Sequence, residues 1–185
     1  MRKNFGSKPW IYPMPVLIIG SFDQNGFADA MNAAWGGISE ENGISICVSE
    51  DHKTTENILA RGAFTVSIAD KANVVSADYV GIVSANDVSN KLEKAGWTVI
   101  KSEFCDAPLF EELPFALECK LVSYDSSSCR LVGKILNVSI DESVLDGNGK
   151  LDLSKFSPIT YDPVHHKYYC LGNVVGNAFS DGKKL

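Results

Sequence analysis

Residues 44–69 read ISICVSEDHKTTENILARGAFTVSIA and contain the pattern of a strand, a helix and a second strand. Residues 44–49 and 64–69 each alternate apolar with small polar side chains, which is typical of a β-strand with one face towards a core. Between them, residues 54–62 begin with two threonines and end at a glycine. Threonine is common at the start of a helix and glycine at its end, so these residues predict a helix. The stretch therefore predicts two strands joined through a short helix.

Further strand patterns extend outward from this stretch in both directions. Short apolar or alternating runs are separated by turn residues, and Gly133 suggests a bulge or a barrel corner within one of them. This arrangement predicts a mainly β protein, a closed barrel or a sandwich, rather than a doubly wound parallel sheet. Short helices are predicted over 71–81 and 86–95. The remaining predicted strands cover residues 15–22, 115–121, 130–140 and 159–172, the last with a proline-containing interruption.

Length and composition place the chain among ordinary globular proteins that act on small molecules. Its 185 residues are 45% hydrophobic and 22% charged, and no linker divides them, so we expect one domain over residues 1–185. No apolar run approaches the roughly 18 residues of a transmembrane helix, so no membrane association and a cytoplasmic location are expected. The net charge is −6 with scattered lysines and arginines, which disfavours nucleic-acid binding because that requires a basic surface.

The cysteines indicate reduced thiols in a reducing compartment. Their number is five, no pair has CxxC spacing, and the three histidines do not complete a zinc motif. Those in strand-like runs are interpreted as small hydrophobic residues, and no metal site is expected. The role of Cys170, near the C-terminal tail, stays open. The five are Cys47, Cys105, Cys119, Cys129 and Cys170.

The segment SEDHKTTENI, residues 49–58, has the features of an anion site. It leads from a strand into a helix, and the start of a helix presents unpaired N–H groups and a partial positive charge. Thr54 and Thr55 add hydroxyl donors, Lys53 adds a full charge, and His52 is a further potential donor. A phosphate would suit this arrangement. The alternative is an ordinary threonine-capped helix with a solvated lysine.

The segment ADAMNAAWGG, residues 28–37, is unusually poor in bulky side chains. If it forms the rim of a strand, its amides and carbonyls are open to the polar edge of a flat ligand, and Trp35 would cover or border the ring. A loop around a core tryptophan is the alternative. Together with the anion site, this segment predicts a phosphate-bearing planar cofactor.

Two segments nearer the C-terminus supply further candidate side chains. Lys91 stands one turn from Lys94 in a predicted helix and can reach an anionic or carbonyl group, although solvated lysines on an amphipathic helix explain Lys94 better. The aromatic tail, residues 159–182, includes Tyr161, Tyr168, His165 and His166 and is expected to line a pocket or a subunit interface. The alternative is an exposed loop. Adjacent histidines in a strand would point to opposite faces.

No sequence motif of hydrolytic or dinucleotide-binding machinery is present. GxSxG, HExxH, Walker A and GxGxxG after a strand are all missing. No protein acid, base or nucleophile is therefore predicted as a catalytic residue.

The order of five motifs resembles the flavoredoxin-like branch of the flavin reductase family, whose members are FMN-binding split-barrel proteins. The likeness extends from about residue 13 to about residue 179, and the fixed order of NAAWGG, HKTTENI and EKAGW makes it specific. The five motifs are PMPVLIIGSFDQNGFADAMNAAWGG (13–37), HKTTENI (52–58), DYVGIVS (78–84), NKLEKAGW (90–97) and DAPLFEELPFALECKL (106–121).

The resemblance implies a six-stranded Greek-key split barrel with peripheral helices, and a homodimer that binds FMN at the subunit interface. It also implies which residues meet the cofactor. Lys53, Thr54 and Thr55 would hold the phosphate and Asn57 would support their loop. The other implied cofactor residues are Asn32, Ala33 and Ala34 at the isoalloxazine edge, Trp35 beside the ring, Lys91, Tyr161, Ser49, His52 and Asp29.

Asp29 is a departure from the family pattern, since related sequences often carry Asn at this position. An ionised carboxylate close to a reduced flavin would disfavour the anionic form of the flavin and lower its potential through repulsion between like charges. This expectation requires that Asp29 be close to the ring and ionised.

The expected activity is that of an FMN-dependent oxidoreductase. A nicotinamide stacked on the flavin would deliver a hydride, or a reduced electron-transfer protein would deliver electrons, and the flavin would pass them to an acceptor. Hydride transfer to a flavin needs no protein acid or base, in agreement with the absence of a catalytic motif. The alternatives are an FMN electron carrier without nicotinamide activity and a β-barrel module that binds another phosphorylated or carboxylated ring.

Overall fold

The computed structural model describes residues 1–185 and consists mainly of β-strands. The helices are α1 (Lys53–Arg61), α2 (Val74–Ile82) and α3 (Lys91–Ala95), with 3₁₀ turns at Glu142–Val144 and Asp181–Lys184. None of the helices has the length and the apolar character needed to span a bilayer. The strands are β1 (Met14–Pro15), β2 (Leu17–Phe22), β3 (Ala28–Ala33), β4 (Gly36–Glu40), β5 (Gly43–Cys47), β6 (Ala63–Ile68), β7 (Val99–Lys101), β8 (Pro108–Phe110), β9 (Phe115–Asp125), β10 (Arg130–Ile140), β11 (Ile159–Asp162) and β12 (Lys167–Cys170).

Seven strands form one antiparallel sheet in the order β3-β2-β6-β9-β10-β5-β4. Laid flat at about 4.8 Å per strand, this sheet would be about 29 Å wide. Yet its two edge strands are joined by Ala34 and Trp35 alone, a connection that reaches only about 11 Å. The sheet therefore curls until its edges meet: a Cβ atom on Gly36 of β4 would lie 3.0 Å from Leu17 of β2 and 3.1 Å from Ile46 of β5.

The strand order confirms the predicted Greek-key barrel. Within this sheet, strands β6, β9 and β10 follow one another along the chain and lie side by side. Strand β5, which precedes them in sequence, pairs with β10, and this order is that of a Greek key. The sheet has seven strands rather than six because the run from residue 28 to residue 40 breaks at Ala34 and Trp35 and contributes both edges. The barrel class and the peripheral helices are as predicted.

Two buried clusters lie on opposite faces of this sheet. Leu17 and Ile19 of β2 belong to the cluster inside the barrel, whereas Ile18 belongs to a second cluster that also contains Ala77 and Val80 of α2. A strand covered on both faces explains why residues 15–22 form a continuous apolar run. The second cluster fixes α2 and α3 against β2 and β3.

Strand β6 is also buried on both faces, which the alternating pattern of residues 64–69 did not predict. Phe64 and Val66 face the barrel interior as expected, but the small polar side chains of Thr65 and Ser67 are also fully buried. The buried hydroxyl of Thr65 is satisfied, because it donates a hydrogen bond to the carbonyl oxygen of Pro108 at 2.5 Å. The polar face of this strand is therefore an interior face rather than a solvated one.

The bulge predicted at Gly133 is confirmed. The register between β9 and β10 shifts at Val132 and Gly133, and a Cβ atom at position 133 would overlap the ring of Phe64. The glycine allows the long strand β10 to bend over the barrel core.

Two predicted helices begin later than expected because side chains bond to the local backbone. Helix α2 starts at residue 74 rather than 71, since Asp70 accepts hydrogen bonds from the amide and the side chain of Asn73, both at 3.0 Å. The helix predicted over 86–95 is restricted to α3, residues 91–95. The hydroxyl of Ser84 accepts from the amide of Asn86 at 3.2 Å, and such local bonds compete with a helix.

The single strand predicted over residues 159–172 is instead a hairpin of β11 and β12. Asp162 accepts hydrogen bonds from the amides of Val164 at 2.8 Å and His165 at 3.2 Å, which closes the turn. The expectation that His165 and His166 point to opposite faces of a strand is therefore wrong, because both lie in the turn. The hairpin pairs through β11 with β1, directly before β2.

All five cysteines are free thiols. Cys119 packs inside the barrel, where burial raises the pKa of its thiol to about 12, so it behaves as the small hydrophobic residue expected. Cys47 is exposed and Cys129 occupies a turn with φ 55°, so that interpretation does not extend to them.

Candidate functional site

The start of helix α1 lies where strand β5 leaves the barrel, as the sequence predicts. His52 has extended backbone angles and its carbonyl oxygen accepts the amide of Glu56 at 3.1 Å, so the amides of residues 53–55 have no partner within the helix. Ser49 shapes the preceding turn, because its carbonyl accepts the amide of His52 at 3.3 Å. The positive end of the helix dipole therefore lies at these free amides.

A cavity of about 250 Å³ lies at this helix start and is called the helix cavity below. Its walls come from β3, from the first turn of α1 and from the loop that follows α2, including Ser84 and Ala85. The structure thereby brings together five residues predicted from separate segments. They are Asp29, His52, Lys53, Thr54 and Lys91.

A buried ion pair forms the base of the helix cavity. The ammonium of Lys91 lies 3.2 Å from one carboxylate oxygen of Asp29, and the two side chains are only 5% and 4% exposed. Thr54 donates its hydroxyl hydrogen to the other carboxylate oxygen at 2.6 Å. The carboxylate expected to repel a reduced flavin is therefore neutralised by Lys91, and its effect on a nearby ring is that of a dipole rather than of a full charge.

The hydroxyls of Thr54 and Thr55, in the first turn of α1, do not have the contacts expected of donors to an anion. The hydroxyl hydrogen of Thr54 is already engaged with Asp29. The hydroxyl of Thr55 is buried, has no hydrogen-bond partner in the chain and does not line the helix cavity. Both residues offer an anion their backbone amides rather than their side chains.

Lys53 and Asn57 have different contacts at the start of α1. The ammonium of Lys53 is held 2.8 Å from Glu56, one turn further along α1, and it also lines the helix cavity. The side chain of Asn57 is buried and donates to the hydroxyl of Ser21 at 3.3 Å, which ties α1 to β2. Asn57 therefore anchors α1 to the sheet, and Lys53 is a cation of the helix cavity that no buried carboxylate balances.

A second cavity of about 340 Å³ lies between the end of β3, the end of α2 and the β11–β12 hairpin, and is called the hairpin cavity. The predicted residues Asn32, Ala34 and Tyr161 line it. Gly81 and Ile82 line both cavities, so the two are adjacent along the end of α2. They form one continuous strip, with the free amides and Lys53 at one end and the rim of β3 at the other.

Gly81 is the residue that allows α2 to lie directly on β3. A Cβ atom there would lie 2.9 Å from the Cβ of Asn32, whose amide donates to the carbonyl of Ala77 in α2 at 3.0 Å. One purpose of the segment 28–37 is therefore to pack closely against a helix. Ala33 turns its side chain into the barrel core, which leaves only its backbone towards the strip.

Trp35 lies at the surface rather than in the core, since 52% of its area is exposed. This excludes the loop around a core tryptophan. Its ring borders a groove of about 400 Å³ that it shares with residues 8–11 and 13–15 and with Ala34, which also lines the hairpin cavity. Trp35 thus stands at the border of the strip.

Asp78 of the hairpin cavity was missed by sequence reasoning, whereas His166 and Tyr168 belong to the aromatic tail that was expected to line a pocket. Tyr168 donates to Asp78 at 2.8 Å, and burial together with this carboxylate raises the pKa of the Tyr168 hydroxyl well above its usual value. The hydroxyl of Tyr161 lies 2.7 Å from Nδ1 of His166. Asp78 lies in α2 and Tyr168 in β12, 90 residues apart, so no local pattern joins them.

A family model and two solved structures match most of the chain, and all three concern flavin reductase-like proteins or flavoredoxins. The model of the flavin reductase-like domain matches residues 10–166. Flavoredoxin of Desulfovibrio vulgaris (Miyazaki F) is 35% identical, with a TM-score of 0.93 and coverage of 98% of this chain and 100% of that one. Flavoredoxin from Methanosarcina acetivorans is 27% identical, with a TM-score of 0.89 and coverage of 100% and 98%.

A curated relative from Aquifex aeolicus is 28% identical over 121 residues, which are 63% of this chain. The matched part spans 61% of the length of that relative.

Proposed function

Because the chain belongs to the flavin reductase-like family, we propose that it is an FMN-containing oxidoreductase that receives electrons from NAD(P)H or a reduced electron-transfer protein. The observation that carries this proposal is the continuous strip formed by the helix cavity and the hairpin cavity. Its anion-binding end and its bare strand rim suit the two ends of FMN. The likeness to flavoredoxins over nearly the whole chain supports the same cofactor.

The residues of the helix cavity suit the FMN phosphate. Free amides at the start of α1, the ammonium of Lys53 and the imidazole of His52 provide donors and positive charge for a dianion. Lys91 adds no net charge because Asp29 balances it, so this pair shapes the cavity instead.

The rim of β3 suits the edge of the isoalloxazine ring. The backbone at Asn32, Ala33 and Ala34 would meet the polar edge, with Trp35 at one border and Tyr161 at the hairpin side. When bound, FMN supplies the hydride and electron chemistry, and the chain binds it, orients it and restricts water. The chain needs no acid or base of its own to load the cofactor with electrons.

We further propose that the protein is a homodimer in the cytoplasm, with its subunit interface on the open side of the barrel. Several large apolar side chains on strands β4 and β10 are exposed, and exposed apolar surface of this kind is typical of an interface. They are Ile38, Leu136 and Val138, with exposures of 66%, 43% and 45%.

The visible absorption spectrum of the purified protein tests the cofactor, and reduction kinetics test the electron donor. A yellow protein whose absorbance bleaches with NADH or NADPH is the expected result. Bleaching by reduced ferredoxin but by neither nicotinamide would show that the protein is an electron carrier. A colourless protein that takes up no added FMN would contradict the proposal.

Replacing Thr55 by Val tests which part of this residue meets the cofactor. The substitution removes a buried hydroxyl without a partner, so the free energy of unfolding of the apoprotein should rise by about 1 kcal/mol. The amide of residue 55 is unchanged, and FMN affinity should therefore stay within about twofold of wild type. Denaturant unfolding and fluorescence titration with FMN measure the two quantities.

A tenfold loss of FMN affinity in Thr55→Val would contradict this assignment and show that the hydroxyl turns towards the phosphate. Ser67→Ala, which removes another unpartnered buried hydroxyl from a residue that lines neither cavity, is the matched control for the stability effect.

A further inference from the structure

Two free thiols lie at the same end of the β5–β10 pair, and neither residue lines the strip. Cys47 is the last residue of β5 and is opposite Arg130, the first residue of β10. Cys129 directly precedes Arg130, and its carbonyl oxygen accepts the amide of Val48 at 2.8 Å. Opposite residues of an antiparallel pair lie about 5 Å apart and successive residues about 3.3 Å, so the Cα atoms of the two cysteines are about 6 Å apart. A disulfide can span this separation.

Both sulfur atoms lie against the turn that joins β9 to β10. Sγ of Cys47 is 3.9 Å from the carbonyl oxygen of Ser128, and Sγ of Cys129 is 3.8 Å from that of Ser126. The carboxylate of Asp125 fixes this turn, because it accepts three hydrogen bonds from within it at 2.7–3.0 Å. Two thiols in contact with one short, fixed turn need only rotate about their χ1 angles to meet.

The backbone of Cys129 has a conformation that this residue type does not favour. Its φ of 55° lies in the left-handed region, which glycine or asparagine occupies more readily. Regular alternation would direct the side chains at positions 47 and 129 to opposite faces, because Cys47 shares its face with Arg130. The left-handed residue interrupts that alternation and leaves its thiol partly exposed at the turn. Strained non-glycine residues of this kind concentrate at functional sites.

The other three cysteines differ from this pair in burial or in neighbours. Burial raises the pKa of the Cys119 thiol to about 12 and also raises the pKa of Cys105. Disulfide exchange requires a thiolate, so both of these thiols should react slowly. Cys170 is exposed, but its partner across the β11–β12 hairpin is Ile159.

We propose that Cys47 and Cys129 form a dithiol site that reacts reversibly with low-molecular-weight disulfides, such as oxidised glutathione. The thiolate of Cys47, the more exposed of the two, attacks one sulfur of the external disulfide, which forms a mixed disulfide and releases one thiol. The thiolate of Cys129 then attacks the sulfur of Cys47, which forms the protein disulfide and releases a second thiol. The two protein thiols lose two electrons and two protons, and these convert the external disulfide into two thiols. The exchange requires no bound flavin.

The disulfide would tie the β9–β10 turn to the segment that leads into α1. Val48, which follows Cys47, is already held there, because its amide donates to Cys129 and its carbonyl oxygen accepts the hydroxyl of Tyr124 at 3.0 Å. The new bond would close a loop of about 80 residues, and restriction of so long a loop in the unfolded chain stabilises the folded one. Transient disulfides in reducing compartments are typical of redox-sensing sites.

Treatment of the reduced protein, as purified, with oxidised glutathione tests the site. Peptide mapping by mass spectrometry should find one cross-link between Cys47 and Cys129, with two hydrogen atoms fewer than in the reduced peptides, and dithiothreitol should reverse it. Cys129→Ser should instead accumulate a stable mixed disulfide with glutathione at Cys47, because the second thiol is missing. Cys170→Ser, which removes another exposed thiol, is the matched control and should form the cross-link at the wild-type rate.

Thermal unfolding gives a second readout of the same bond. Oxidation should raise the unfolding midpoint of wild type by about 3 °C or more and leave the midpoint of Cys47→Ser unchanged. A wild-type protein that keeps glutathione at Cys47, forms a cross-link to a different cysteine or to a second copy of the chain, or does not react would overturn the inference. None of these outcomes bears on the proposed function, because flavin binding is measured separately from thiol exchange.

Discussion

Replacing Lys91 by Met is expected to lower the free energy of unfolding by about 3–5 kcal/mol, because it leaves the carboxylate of Asp29 buried without a partner. Asp29→Leu should cost a similar amount by leaving the ammonium of Lys91 unpaired. Both side chains are almost fully buried, so water cannot replace the missing charge. Denaturant unfolding of the apoprotein measures the effect without interference from the cofactor.

The double variant Asp29→Leu/Lys91→Met should recover most of the loss, since it removes both charges and leaves apolar groups of similar size. The exposed Lys94, on the same short helix, provides the control: Lys94→Met should change stability by no more than about 0.5 kcal/mol. If Lys91→Met stayed within 1 kcal/mol of wild type, the pair could not be the buried ion pair described.

Replacing Lys53 by Ala is expected to weaken FMN binding by about 1.5–3 kcal/mol, which is about 10- to 150-fold in the dissociation constant. Lys53 supplies the cation of the helix cavity that is not balanced by a buried carboxylate. Fluorescence titration of the apoprotein with FMN measures the change. An unchanged dissociation constant would remove Lys53 from the phosphate site.

Glu56 offers a control that should shift the FMN affinity in the opposite direction. Its carboxylate holds the Lys53 ammonium at 2.8 Å, and this contact competes with a bound phosphate. Glu56→Gln should therefore tighten FMN binding slightly or leave it unchanged. A loss of affinity in Glu56→Gln comparable with that of Lys53→Ala would indicate damage to the helix rather than loss of a phosphate contact.

Local sequence patterns are sufficient for most strands of the barrel and for the start of α1. The period of two in residues 44–49, the threonines of the first turn and Gly62 in the left-handed conformation at its end all act within a few residues. The motif order then indicates how these pieces assemble. These signals predicted the barrel and five residues around the helix cavity.

Contacts between distant residues explain what the patterns could not predict. Asp29 and Lys91 are 62 residues apart, and nothing in either segment shows that the two charges neutralise each other. The turn at His165 and His166 depends on how Asp162 binds the backbone, which alternation does not encode. The buried hydroxyl of Thr65 in β6 finds its acceptor in β8, which belongs to a separate sheet.

Titration of the apoprotein with FMN and with riboflavin is the most direct test of the central claim that the strip binds a flavin through an anion site at α1. The two ligands share the ring and differ by the phosphate. We expect FMN to bind at least about a hundredfold more tightly than riboflavin, since the phosphate gains two or more charge-assisted hydrogen bonds. Equal affinities, or no binding of FMN, would contradict the claim.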